Sequence, residues 1–292
     1  MFSLGITPQQ LFSLHRGSFR SGTGNLSPEL WCHALGNALP ADGQNSGVLM
    51  GDDFSNFVGL TPAISGTTAL PSATVPSSGY GLYMDTATSA CSINPKSTAI
   101  NTCRIATGAT DNHEAWMQSN GGIGGNCKFD DTILAFEAVF SVAQIAANTG
   151  AAFVGLGQPG MAAANAKVDD TGVIVASKSL IGFDTVQAAP QTANFVFQDA
   201  SGSLVTHIAG VKTLVADTLV NLGFIYDPGA KASQRLKIFV DNVEQSTYVT
   251  GSVLEGATFP YQDILSFVVG IKNGSAAAAY LDIKGWQLFY QY

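Results

Sequence analysis

The chain has 292 residues, of which 12% are charged, about half of the ~25% usual in soluble proteins. Its formal net charge of −8 argues against nucleic-acid binding, because neutralising phosphates requires clustered Lys and Arg. The same charge argues against docking on an anionic membrane surface. Since 46% of the residues are hydrophobic, the chain has enough apolar material for a core, and disorder throughout is not expected.

Residues 1–48 are predicted to form an N-terminal arm with short helices. Thr7-Pro8 and Ser27-Pro28 each combine a helix-capping side chain with a Pro at the first helical position. The arm is interpreted either as solvated surface or as a segment that grips a partner. No secretory signal is expected, because the first residues lack a basic region followed by an unbroken apolar stretch.

Residues 49–292 are predicted to form one β-sandwich domain that includes an extended loop at residues 61–78. That loop has no charged residue, and Pro62, Pro71 and Pro76 exclude a helix or a central strand there. Because the loop is uncharged, we expect it to lie against another surface rather than extend freely into water.

From Gly79 onward the sequence changes to short β-type runs separated by turn residues. In residues 132–142, every second residue from Leu134 is apolar, which predicts a strand with one buried face and places Glu137 on the outward face. Typical turn residues occur at 199–202 and at Asp241-Asn242. Further strands are predicted at residues 81–85, 101–107, 152–157, 171–176, 179–186, 193–198, 203–209, 219–226, 235–240, 243–249, 264–271 and 279–290.

This succession of short strands with few helical periods indicates an all-β fold, an antiparallel sandwich or barrel. The four cysteines form no C-x-x-C pair, so a zinc site is not supported. Cys91 and Cys103 have two interpretations: a disulfide across a hairpin, or buried free thiols in a protein folded in the cytosol.

A glycosidase would need two carboxylates facing one cleft. The acidic residues instead occur as the adjacent pairs 52–53, 130–131 and 169–170, whose side chains diverge on a strand. The sequence contains no nucleophile-elbow motif and no phosphate-loop motif. Residues Gly121–Asn126 are interpreted as a turn. We therefore predict no enzyme activity, no catalytic residue and no cofactor.

Three further features have a functional and a structural interpretation. The loop Asp111–Glu114, which contains His113, is either a divalent-cation site or a polar turn, and the second interpretation leads to a prediction of no metal site. His207 is expected to be an outward or hydrogen-bonded strand residue. A set of aromatic residues is either a sugar platform or part of the core and its rim: Tyr226, Tyr261, Trp286, Tyr290 and Tyr292.

Several segments resemble a family of tailed-phage virion proteins. Residues 106–116, which contain Thr-Gly-Ala-Thr-Asp-Asn-His-Glu-Ala, resemble that family's TGATDNDEA segment, and residues 134–157 resemble its FEARFKVS…FVGLA hairpin. The Val240-Asp241-Asn242 turn and the closing Gly285-Trp286 strand agree with it. The resemblance covers residues 52–292.

The resemblance implies a concanavalin-A-like jelly roll that decorates and stabilises a phage capsid, as a head decoration or cement protein. Its expected partner is the major capsid protein, its expected form is a homo-oligomer, with a trimer as the first guess, and its expected location is the capsid surface of a virion assembled in the host cytoplasm. The alternative is a carbohydrate-binding module on the virion surface or tail that binds a host surface glycan and aids adsorption. A jelly roll is compatible with both, since folds of this kind host unrelated functions.

Overall fold

The computed structural model describes residues 47–54, 80–85, 91–99, 101–119 and 127–291. These residues form two antiparallel sheets that pack face to face. Helix within this part of the chain is limited to a four-residue α1 (Gly251–Leu254) and a 3₁₀ turn (Ala232–Gln234). The all-β, antiparallel sandwich predicted from the sequence is confirmed.

The larger sheet has eight strands in the order β13-β12-β11-β6-β15-β4-β3, and β1 pairs with the second half of β15 beside β4. Its long central strand, β15, is held by β6 along one side over nearly its whole length. The strands are β1 (Gly47–Asp52), β3 (Ser92–Pro95), β4 (Cys103–Ala106), β6 (Leu134–Val142), β11 (Val220–Tyr226), β12 (Leu236–Val240), β13 (Val243–Glu244) and β15 (Tyr280–Gln291).

The smaller sheet has seven strands in the order β10-β9-β8-β7-β14-β5-β2. Strands β7, β8, β9 and β10 are neighbours in sequence order, and β14 lies between β7 and β5. The strands are β2 (Tyr80–Met84), β5 (Glu114–Ser119), β7 (Ala151–Gly157), β8 (Leu180–Val186), β9 (Ala189–Gln198), β10 (Val205–Thr213) and β14 (Ser266–Lys272).

The core lies between the facing surfaces of the two sheets. The predicted inward set of β6 belongs to it, from Leu134 to Val142 at every second residue, so the period-2 prediction is confirmed. Trp286 of β15 stacks on Phe267 of β14, with ring centroids 4.3 Å apart and planes within 6°, and thereby joins the two sheets. Glu137 lies on the opposite face of β6 as predicted, but it is fully buried rather than exposed.

A buried carboxylate links neighbouring strands near one edge of the larger sheet. Asp282 of β15 accepts hydrogen bonds from the Lys96 ammonium at 2.6 Å and from the Arg104 guanidinium at 2.7 and 2.8 Å. Because Arg104 lies on β4 and Lys96 directly follows β3, these contacts join three neighbouring strands through one side chain. Burial disfavours the charged carboxylate, but the two cations outweigh that effect, so the pKa of Asp282 lies below its usual 3.8.

We expect this carboxylate to make stability fall in acid. A carboxyl group whose pKa is lower in the folded state stabilises the protein above its unfolded pKa of about 4. That contribution is lost as the pH falls through the lower, folded-state pKa. Urea denaturation of the native protein between pH 2.5 and 6 should therefore show a steeper loss below about pH 4 than the Asp282→Asn variant shows. Parallel curves for the two proteins would contradict the assignment.

Three strands were not predicted from the sequence: β1, β3 and β5. Strand β5 is buried along its entire length, so it lacks the alternation that marks a half-exposed strand. The run predicted at residues 171–176 is not a strand, because these residues belong to an irregular segment with a single bridge between Lys167 and Ile174. The predicted run at residues 243–249 is shortened to the two residues of β13, with an isolated bridge at Val249.

The cysteine alternatives are resolved for three of the four residues. Cys91, Cys103 and Cys127 are free and buried. In the β3–β4 hairpin Pro95 pairs with Cys103 and Ser92 with Ala106, so the register places Cys91 opposite residue 107 and four rows from Cys103. Four rows correspond to roughly 13 Å, which a disulfide cannot span. The hairpin disulfide is therefore wrong, and the free-thiol interpretation holds.

Several sequence predictions lie outside the described residues: the helices of the N-terminal arm, the loop at 61–78, the turn Gly121–Asn126 and the aromatic candidate Tyr292. Strand β1 begins at Gly47, close to the predicted boundary between residues 48 and 49, and that boundary stays a prediction. In the part of the chain that is described, no helix is long and apolar enough to cross a membrane.

Candidate functional site

A surface cleft of about 270 Å³ opens at one edge of the sandwich. It lies between the end of β10 and its following loop, the start of β11, and the turn that joins β12 to β13. Its polar lining comes from Lys212, Thr213, Thr218, Asn221, Asp241 and Asn242, and its apolar lining from Val139, Leu214, Val215, Leu219 and Val220.

The turn at one wall of the cleft has a fixed conformation. Val240 pairs with Val243, which leaves Asp241 and Asn242 as a two-residue hairpin loop. Both have positive φ, 47° and 72°, as a type I′ turn requires, and Asp and Asn tolerate that region better than most residues. The sequence prediction of a turn here is confirmed, and the tight loop directs both polar side chains to the cleft.

Hydrogen bonds from two other elements hold this turn in place. The Asp241 carboxylate accepts the Asn221 backbone N–H at 3.0 Å through one oxygen and the Lys212 ammonium at 2.5 Å through the other. The Asn221 side-chain amide donates to Asn242 at 3.1 Å. Each carboxylate oxygen can accept more than one hydrogen bond, so Asp241 keeps capacity for a ligand hydroxyl.

Apolar side chains form the exposed rim beside these polar groups. Val215 and Leu219 of the cleft are 58% and 46% exposed, and the adjacent Val243 is 61% exposed. The floor is apolar and buried, since Val139, Leu214 and Val220 are each less than 5% exposed. The cleft thus presents fixed donors and acceptors next to an apolar edge, the combination that small-molecule sites use for orientation and contact area.

The outer face of the smaller sheet, by contrast, is filled by the chain itself. Residues 158–179, which we name the covering segment, place Met161, Ala166 and Ile174 in a second hydrophobic cluster with Trp116 and Phe153 of the sheet. The two rings lie against glycines: a Cβ at Gly270 would come within 2.1 Å of the Trp116 ring. No open groove remains where these rings pack.

Two lysine–aspartate contacts, one buried and one partly exposed, fix the covering segment to that face. Lys167 of the segment contacts Asp184 of β8 at 2.5 Å, with both side chains at most 2% exposed. Lys272 of β14 contacts Asp169 of the segment at 2.5 Å and lies 4.0 Å from Glu114 of β5. Burial raises the pKa of Glu114 above its usual value, although the Lys272 charge opposes the effect.

One residue of the pair 52–53, one of the pair 130–131 and both of the pair 169–170 make hydrogen bonds or ion pairs with neighbouring elements. Asp52 accepts hydrogen bonds from the Phe54 N–H and the Tyr80 hydroxyl, and Asp130 from Thr132 and the Tyr290 hydroxyl. Asp169 contacts Lys272, and Asp170 exchanges two hydrogen bonds with Asn112. These contacts hold loops and strand ends together.

Residues Asp111 and Asn112 form a turn, and the prediction of no metal site stays a prediction. Asn112 has φ 65° and binds Asp170, while Glu114 accepts hydrogen bonds from the Trp116 indole and the Asn165 N–H. Among the residues that the structure describes, no group of three His, Cys, Asp or Glu side chains is arranged to hold a metal ion.

His207 and the aromatic candidates divide between core and rim. The His207 ring bonds the Tyr248 carbonyl at 3.0 Å, as the hydrogen-bonded interpretation predicted. Trp286 and Tyr226 are core residues, 3% and 1% exposed, whereas Tyr261 and Tyr290 are half-buried at the rim. Because two of the four described rings are buried, these four rings do not form one exposed sugar platform.

Sequence reasoning identified Asp241-Asn242 as a turn but did not recognise the cleft. Lys212, Leu219 and Asn221 come from different strands and loops, and no local motif connects them. One available signal was the apolar pair Val215 and Leu219 in a short connection between strands, where polar residues are usual.

Comparisons with known proteins return similarity in structure alone. No family model and no curated protein matches the sequence. A protein of unknown function from Shewanella oneidensis MR-1 superposes with a TM-score of 0.51 at 12% identity, covering 100% of this chain and 97% of that one. Peanut lectin bound to a nine-residue peptide gives 0.50 at 10% identity, with 84% and 97% covered.

The Emp47p carbohydrate recognition domain gives a TM-score of 0.48 at 14% identity, covering 82% of this chain and 93% of that domain. At such identities the comparisons describe the fold. The chain has the concanavalin-A-like lectin fold, a two-sheet antiparallel jelly-roll sandwich.

Proposed function

We propose that this protein binds carbohydrate in the cleft beside the β12–β13 turn, without chemical turnover. The observation behind the proposal is the juxtaposition, on a lectin-type sandwich, of the fixed polar groups Lys212, Asn221 and Asp241 with the exposed Leu219. Sugars present hydroxyls at their edges and C–H groups on their faces. Carboxylate, amide and ammonium groups match the first, and aliphatic side chains match the second.

The dimensions suit a small ligand. At about 270 Å³ the cleft lies near the lower end of ligand pockets, which run from ~300 to 1,000 Å³. The Lys212–Asp241 pair is internally neutral, so the site favours a neutral sugar unit over a strongly charged one. A weak site for one sugar unit gives a higher overall affinity when several copies of the protein bind one surface together.

The test is a glycan array probed with the full-length protein, followed by titration of any hit against variants. Leu219→Arg should weaken binding at least tenfold, because the long side chain occupies the cleft mouth at an already exposed position. Ile264→Arg is the matched control, since Ile264 is 53% exposed and lies outside the cleft. Equal binding by both variants, or no glycan bound at all, would overturn the proposal.

A second candidate is the structural virion role implied by the resemblance to phage decoration proteins. It is supported by the filled outer face of the smaller sheet, where Trp116 and Phe153 pack beneath the covering segment instead of lining a groove. In this role the protein would assemble as a homo-oligomer on the major capsid protein. Its test is particle binding by the protein lacking residues 1–48, the proposed docking arm, with electron microscopy locating the intact protein. Full binding by the shortened chain would contradict the docking arm.

A further inference from the structure

A lysine and an aspartate are in contact in the buried region beneath the covering segment. Lys167 of the covering segment is 0% exposed and Asp184 of β8 is 1% exposed. The Lys167 Nζ atom lies 2.5 Å from Asp184 Oδ1, shorter than an ordinary charge-assisted contact of about 2.7–2.9 Å. Buried charges normally belong to extended hydrogen-bonded networks or to reactive sites, because removing them from water is costly.

The Lys167 nitrogen has three hydrogen-bond acceptors around it, as many as an ammonium has N–H groups. Besides Asp184, the nitrogen has two hydrogen-bond acceptors, the carbonyls of Gly172 at 2.7 Å and Thr185 at 2.9 Å. A neutral amine has two N–H groups and one lone pair. If the two N–H groups of a neutral amine bind these carbonyls, its lone pair lies on the side of the Asp184 carboxyl group.

Burial favours the neutral forms of both groups. It lowers the pKa of Lys167, although the Asp184 charge opposes the effect, and it raises the pKa of Asp184 to about 6 against the opposing charge of Lys167. The other charged groups near Lys167 are Glu114 and Lys272, whose effects on it are opposite in sign. Burial thus lowers the free-energy cost of moving a proton from the ammonium to the carboxylate, and that transfer gives an amine beside a carboxylic acid, the two reactants of amide formation.

We propose that Lys167 and Asp184 form an intramolecular isopeptide bond. The Lys167 nitrogen attacks the Asp184 Cγ, a new N–C bond forms, and one C–O bond breaks. The departing oxygen leaves as water with two of the three ammonium protons, and the third stays on the amide nitrogen. No oxidant, metal or cofactor takes part. The product ties the covering segment covalently to β8.

Two physical factors offset the tendency of water to hydrolyse such a bond. Groups held in contact react with effective molarities of ~10⁵–10⁸ M, which replaces the activation that free amines and acids need. The site also excludes solvent, which removes the water that would drive the reverse reaction. The amide keeps one N–H, which the Gly172 or Thr185 carbonyl can accept.

A second lysine–aspartate contact provides an internal comparison. Lys272 Nζ lies 2.5 Å from Asp169 Oδ1, the same separation, but the Asp169 side chain is 59% exposed. Water reaches the Asp169 carboxylate, so hydrolysis would reverse any amide formed there. We therefore expect a bond at Lys167–Asp184 and none at Lys272–Asp169.

The test is mass spectrometry of the purified full-length protein under denaturing conditions. The intact mass should fall below the mass calculated from the sequence by one water molecule, and a protease digest should yield a branched peptide that joins Lys167 to Asp184. The Lys167→Arg variant should show the full calculated mass, because a guanidinium does not form this amide.

The native protein decides the question even if the variant fails to fold. A native mass that equals the calculated value, with separate linear peptides for the two residues, would overturn the proposal. A branched peptide that joins Lys272 to Asp169 instead would also overturn it, because contact rather than burial would then determine which pair reacts.

Discussion

Replacing Asp184 by Ala is expected to lower the free energy of unfolding by about 3–5 kcal/mol, the usual cost of removing one partner from a buried ion pair. The variant leaves the Lys167 nitrogen in a site from which solvent is excluded, with two backbone carbonyls as its remaining partners. The unpaired ammonium must either lose its proton or draw water into the cluster under the covering segment. Loss of the proposed isopeptide bond would add to this cost.

Asp169→Ala is the matched control, because Asp169 is the other aspartate that binds a lysine at this face. Its side chain is half-exposed, and Lys272 keeps the Lys167 carbonyl at 2.8 Å and the Glu114 carboxylate as neighbours. We expect a loss of about 1 kcal/mol, within the range of exposed ion pairs. Guanidinium denaturation followed by circular dichroism measures both variants. Equal losses would show that burial does not determine the strength of these contacts.

Gly270→Ala should destabilise the sandwich by about 3 kcal/mol, at the upper end of the cost of overpacking a core. A Cβ there would lie 2.1 and 2.2 Å from two ring carbons of Trp116, far inside any real contact distance. The ring cannot simply move aside, since it is fully buried and its indole N–H donates to Glu114 at 3.0 Å. Either the strands separate or the covering segment lifts from the sheet.

Gly202→Ala serves as the comparison, because the nearest atom to its Cβ is 3.4 Å away, an ordinary contact. It should change stability by less than about 0.5 kcal/mol. The double variant Gly270→Ala with Trp116→Ala tests the cause directly. If the ring is what the methyl group meets, the two losses should not add, and the double variant should be more stable than their sum implies. Simple additivity would place the strain elsewhere.

The filled outer face bears on where a ligand can bind. In this chain, Trp116 and Phe153 are part of a second core, so these two rings are withdrawn from solvent. Among the residues that the structure describes, an open cleft lies at the sandwich edge, where the β12–β13 turn meets the end of β10. The proposed carbohydrate site follows from that placement, and the glycan titration distinguishes it from the structural virion role.

Much of the fold could be predicted from local patterns. Alternation marked β6, and turn residues marked Asp241-Asn242 and the loop at 199–202, because a strand with one buried face and a two-residue hairpin each leave a local signature. Strand β5 left no such signature, since both of its faces are buried and its residues include Glu114 and Gln118. Its identity as a strand depends on pairing with β2 and β14, far away in sequence.

The sequence by itself determined the all-β class, most of the strand positions and the scarcity of charge, because these are properties of neighbouring residues and of composition. The tertiary structure alone decided that Lys167 meets Asp184, that Glu137 is buried, and that Lys212, Leu219 and Asn221 line one cleft. Such contacts join residues from different strands and loops, and only the order and register of the strands bring them together. The chain has few charged residues, and the fold places several of them in buried ion pairs. Removing one partner of such a pair has the largest expected effect on stability.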